Sequence, residues 1–84
     1  MYTSVQFTGS LAPQQTRRWF TFGWSATRHV IWYMVPTSPQ VGSPQIDWDV
    51  AVERADADRC TYWITVKNLT AQTVTFEGRY AVLN

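Results

Sequence analysis

One cysteine (Cys60) and one histidine (His29) in 84 residues rule out an internal disulfide framework and a cysteine-based metal cage. Charged residues are scarce as well, 15% against 45% hydrophobic, which excludes a disordered, charge-dominated segment. The net charge of +1 supplies no general pull toward nucleic acid or an anionic membrane. No apolar run reaches the roughly 18 residues that a spanning helix needs. No charged-then-apolar leader opens the chain, so neither a membrane span nor a signal peptide is expected, and the cellular location stays open. A chain this short buries only about 60–65% of its unfolded surface, which predicts one domain over residues 1–84.

Aromatic residues are what the chain has in excess: five Trp, four Tyr and four Phe. They sit in segments whose hydrophobic period is two rather than 3.6, the signature of strands. The clearest segment is Ile46 to Glu53, with Ile46, Trp48, Val50 and Val52 on one side and Asp47, Asp49 and Glu53 on the other. Cys60 to Lys67 repeats the pattern with Cys60, Tyr62, Ile64 and Val66 inward, and Thr73 to Leu83 continues it through Val74, Phe76, Tyr80 and Val82. Gly78 interrupts that last run and predicts a bulge or bend. Thr3 to Thr8 reads as a strand with Val5 and Phe7 on one face, and Thr16 to Trp24 as another with Phe20, Phe22 and Trp24 sharing the inward side. Arg28 to Val35 is apolar at both parities, which predicts a strand covered on both faces.

Short polar stretches at Gly23–Thr27, Arg54–Arg59 and Asn68–Gln72 are expected to close hairpins. Pro36 to Gln45 carries three prolines, too many for helix or central strand, and predicts a crossover between sheets. About six short strands with one such crossover predict an all-β fold, a small antiparallel β-sandwich of immunoglobulin-like or Greek-key type. A small closed barrel is the competing architecture. The ending, Tyr62 to Thr70 followed by Val74 to Leu83, resembles the terminal hairpin of immunoglobulin-like sandwiches. It spans about a quarter of the chain and implies no function, so no site residue follows from it.

Catalysis has little to work with. Cys60 and His29 form the one conceivable nucleophile–base pair, but Cys60 has inward parity, where a free cysteine behaves as a small hydrophobe. A reactive thiol needs an exposed, electropositive setting. Asp47 and Asp49 share one strand face and therefore one environment, whereas glycoside hydrolysis needs two carboxylates in different environments across a cleft. Asp56 and Asp58 are flanked by Arg54 and Arg59 and lack the glycine and terminal glutamate of a calcium loop. Asn68-Leu69-Thr70 matches a glycosylation sequon, relevant only in a secreted eukaryotic protein. The chain is accordingly expected to be no enzyme and to need no cofactor or metal.

Binding is better supplied. Arg17, Arg18, Arg28 and His29 bracket Trp19, Phe20, Phe22 and Trp24, the mix that a single-strand nucleic-acid platform uses, though near-neutral charge makes this a remote alternative. Trp63 has outward parity between outward Thr61 and Thr65, and Trp19 has outward parity beside Arg17. An exposed indole next to hydroxyls suits a sugar ring, which makes a lectin-like, carbohydrate-binding module the second reading. Exposed large apolar groups otherwise mark protein interfaces. Every acidic residue lies after position 46, so the chain is +3 before that point and −2 after it, a polarity that suits head-to-tail attraction between copies. Together with Tyr33 on the doubly apolar strand, these features lead to the expectation of a self-associating homo-oligomer. Arg17, Arg18 and Arg28 of one copy would meet Asp47, Asp49 or Glu53 of another, in a structural or assembly role.

Overall fold

The computed structural model describes residues 1–84 and contains no helix. Its strands are β1 (Tyr2–Leu11), β2 (Thr16–Ser25), β3 (Val30–Pro36), β4 (Ile46–Arg54), β5 (Arg59–Asn68) and β6 (Val74–Val82). They form two antiparallel three-stranded sheets, ordered β1-β6-β3 and β2-β5-β4. The sheets stack as a small β-sandwich, the predicted fold class. Five of the strands match an alternating run, because alternation gives a strand one apolar face to bury. β3, apolar at both parities, buries Trp32 and Met34 but leaves Ile31 and Tyr33 exposed, so it is covered on one face and not on the two expected.

The connections differ from expectation. Only Arg54–Arg59 closes a hairpin, between β4 and β5. The turns after β2 and β5 carry the chain from one sheet to the other, as does the turn between β1 and β2. β5 and β6 therefore never pair, and the terminal-hairpin resemblance fails. A short polar turn suits a corner between stacked sheets as well as a hairpin, so length alone could not tell them apart. The proline-rich stretch does cross between sheets, from β3 to β4. The buried Gln45 amide ties it down, donating to the Gln40 carbonyl at 2.7 Å and the Ser38 carbonyl at 3.3 Å.

The core joins Leu11, Trp32, Met34 and Phe76 of one sheet to Cys60, Tyr62, Ile64 and Val66 of the other. At one end Trp24, Trp32, Tyr62 and Tyr80 pack ring against ring, with Trp24 edge-on to Trp32 at 5.3 Å and to Tyr80 at 5.1 Å. The Trp32 indole N–H is buried there without an acceptor.

Two bulges decide which aromatic side chains join this core. β2 carries one extra residue between Thr21 and Trp24, where Gly23 takes φ 81°. Before the bulge Trp19 and Thr21 point inward; after it Trp24 does. Phe20 and Phe22, expected inside, therefore face solvent at 58% and 73% exposure, and Trp19, expected outside, packs against Phe7 and Phe76. β1 carries its extra residue between Val5 and Phe7, so Val5 turns out and Phe7 turns in. Gly78 lies opposite that bulge, where a Cβ would collide with the Phe7 ring. The sequence pointed to the right place but the wrong strand. Val52 keeps inward parity yet stays exposed near the end of edge strand β4.

Candidate functional site

The outer face of the β2-β5-β4 sheet collects most of the sequence-predicted site residues. Its rows follow from strand register: Thr16, Lys67 and Asp47; then Arg18, Thr65 and Asp49; then Phe20, Trp63 and Ala51. Glu53 pairs with Thr61 in the next row. Outward alternation on β4 and β5 placed Asp47, Asp49, Trp63 and Thr65 correctly. Thr61 shares their parity but is itself buried beneath its neighbours.

Trp63 is the centre of this face and is less open than expected. Phe20 lies 5.1 Å from it and in turn stacks on Phe22 at 6.2 Å. The Arg18 guanidinium sits over the indole, 4.8 Å from the centroid. The indole N–H donates to Glu53 Oε1 at 2.7 Å. The rings left in water are Phe20 and Phe22, which alternation alone assigned to the core. The signal that could have found them is Gly23, a natural bulge position that reverses parity within the strand.

Charge is arranged across the face rather than along the molecule. Arg18 stands on one edge strand and Asp47, Asp49 and Glu53 on the other, with Lys67 between. The ion pairs within the chain are Arg59 with Asp56 and Arg79 with Glu77, so Arg18, Lys67, Asp47 and Asp49 have none. Within this face the charges thus run from the strand carrying Arg18 to the strand carrying the acids.

The remaining site residues lie elsewhere. Trp19 is inward. Arg17 spans the gap between the sheets, its guanidinium 4.9 Å from the Trp19 ring and donating to the Ser10 carbonyl at 3.3 Å. Arg28 and His29 occupy the turn before β3, where the Arg28 guanidinium donates to the Asn84 carbonyl at 2.6 Å and the His29 amide to Asn84 Oδ1 at 2.8 Å. That turn borders a pocket of about 470 Å³ lined by Tyr2, Trp24, Tyr80 and Asn84, at the end of the sandwich. Tyr33 faces out from the other sheet, beside Arg79 across the β3–β6 ladder. The basic–aromatic cluster around Trp19 is thus split between the interior, the outer face and the far turn.

Neither Cys60 nor the sequon offers accessible chemistry. Cys60 is a buried free thiol within the core. Asn68 is 0% exposed, and its amide group donates to the carbonyls of Leu11, Ala12 and Gln72 while its oxygen accepts from the Thr70 amide and hydroxyl. It staples two corners and is enclosed in the folded chain. Asp56 caps its own hairpin turn: the Asp58 and Arg59 amides donate to its carboxylate at 2.8 and 2.9 Å. Those bonds, led by the Asp58 amide and helped by the Arg59 charge, hold its carboxyl below the usual carboxylate range.

In comparisons with known proteins, no family model, no curated protein and no solved structure matches the chain.

Proposed function

We propose that this protein is a non-enzymatic, self-associating β-sandwich subunit that works through the outer face of the β2-β5-β4 sheet. The observation that carries this function is the pair Phe20 and Phe22, held in water on a sheet beside Trp63. Phe20 stands in the β2–β5 ladder opposite Trp63 and Phe22 in the bulge that follows it, and exposed aromatics are side chains that protein interfaces concentrate. The shape of the molecule adds support: its radius of gyration is 13.8 Å, against about 12 Å for a compact domain of this length. A thin, elongated sandwich gains burial from association that its own core does not supply.

A carbohydrate-binding role is the second reading, favoured by Trp63 beside the Thr65 hydroxyl. Two features weigh against it. Arg18 covers the indole face that a sugar would use. The open hydroxyl-lined groove of Thr8, Ser10, Thr37 and Thr75 lies on the other sheet, where Phe76, its one ring, is buried.

Light scattering across a concentration series, with tryptophan fluorescence followed on dilution and on glycan addition, separates the two. Self-association predicts a concentration-dependent mass and a fluorescence change on dilution. A chain that stays monomeric at high micromolar concentration and low salt overturns the proposal, and a saturable response to glycan in that monomer moves the lectin reading into its place.

A further inference from the structure

We infer that the partner of this face is a second copy of the same chain, related by a two-fold axis running along the strands, so that Arg18 of each copy meets Asp49 of the other. This arrangement rests on the self-association proposed above and specifies its geometry.

Sheets that pack face to face keep their strands within about 30° of each other. A symmetric pair of faces then has two choices of axis. An axis across the strands lays the acid-bearing strand β4 of one copy on β4 of the other, setting Asp47, Asp49 and Glu53 against their own kind. An axis along the strands lays β2 of one copy on β4 of the other. Like charges brought together at an interface oppose association, so the second choice, which lays the acidic strand on the strand that carries Arg18, is the complementary one.

That axis has a consequence for register. A pure two-fold rotation about a line parallel to the strands shifts nothing along them, so each row of one face meets the same row of the other. Arg18 and Asp49 occupy one row, on opposite sides of Thr65, and neither has an ion-pair partner in its own chain. Rotation places each over the other's counterpart, giving two equivalent pairs per dimer. Phe20 and Ala51 likewise share a row, on opposite sides of Trp63. The large exposed ring of one copy therefore falls over the smallest outward side chain of β4 in the other, walled on one side by Trp63. Charge and bulk are complementary under the same operation. Lys67, Thr65 and Trp63 all stand on the central strand, along the axis, and each faces its own copy. Asp47 stands beside Lys67 in its row on the neighbouring strand, and the two indoles meet between the Phe20–Ala51 contacts.

The Arg18 guanidinium is also pre-positioned, since it already rests on the Trp63 indole. Holding a long side chain in place before association lowers the entropy lost on binding.

The test is a charge exchange between two variants, with analytical ultracentrifugation as the readout. Arg18→Asp and Asp49→Arg each place like charges at both pairs of a homodimer and are expected to weaken self-association by about tenfold or more. Mixed together, the two variants restore opposite charges at both positions, so the mixture is expected to dimerise within about threefold of the original chain. Ala51→Trp is an independent probe at an exposed position of the fold: filling the notch blocks Phe20 of the partner and is expected to weaken self-association by about tenfold, and unchanged association would overturn the two-fold register. Circular dichroism on each variant confirms that the sandwich is retained. If Phe20→Ser abolishes association but the mixed variants gain nothing over either alone, the two-fold arrangement is wrong while the face remains the interface. If the unmodified chain shows no association at all, the self-association itself is overturned.

Discussion

The Trp63 indole donates to Glu53 on the acidic edge strand while the Arg18 guanidinium covers it from the basic one, so a single side chain ties both edges of the outer sheet together. A ring fixed by a hydrogen bond on one side and a cation on the other is a built surface rather than a stray exposed apolar group. The same geometry explains why Phe20 and Phe22 carry the free apolar area: Trp63 is already engaged.

The four phenylalanines divide sharply in their energetics. Phe76→Ala removes a ring only 1% exposed, and a cost of about 3–5 kcal/mol is expected from the lost burial and the cavity left behind. Phe20→Ser removes an outward ring whose contacts are Trp63 and Phe22, and a cost of about 1 kcal/mol is expected, well below that of Phe76→Ala. Urea unfolding of both variants at concentrations below association measures the contrast; equal losses would mean that Phe20 belongs to the core.

Gly78 and Gly23 fail for different reasons. At Gly78 a methyl group meets the Phe7 ring, and overpacking of about 1–3 kcal/mol is expected for Gly78→Ala. At Gly23 nothing lies near, but the backbone holds φ 81°, so Gly23→Ala pays about 1–2 kcal/mol for left-handed geometry. Phe7→Leu should relieve the first variant and leave the second unchanged, which a double-mutant cycle by thermal unfolding reads directly.

Asn68→Ala leaves the carbonyls of Leu11, Ala12 and Gln72 without their common donor, a loss on the order of 3 kcal/mol. Urea unfolding of the variant measures that loss, and a change under about 1 kcal/mol would show that Asn68 does not hold the two corners together.

Asp56 sets a pH dependence with a definite sign. Its carboxyl titrates lower when folded than when unfolded, so its contribution is present at neutral pH and is lost as acid protonates it below the ordinary carboxylate range. The titration midpoint of Asp56 by nuclear magnetic resonance is expected to lie below that of the same residue in an isolated Arg54–Arg59 peptide. Coincident midpoints would show that the turn bonds do not persist in solution.

Strand periodicity, the crossover at Pro36–Gln45, the inward run of β5 and the outward acids of β4 were all legible in the sequence, because each depends on alternation within one uninterrupted strand. What alternation cannot report is a parity reversal inside a strand. The bulges at Gly23 and between Val5 and Phe7 exchanged Trp19 for Phe20 and Phe22 on the outer face and turned Val5 out of the core. Nor could the sequence tell a corner from a hairpin, since both need only a few polar residues. It therefore left open that β5 pairs with β2 and β4 rather than with β6. That pairing is what brings Arg18 and Asp49, thirty-one positions apart, into one row across Thr65. Local period determined which segments are strands and which of their residues are apolar; only the hydrogen-bond register between distant strands decided which side chains share a face.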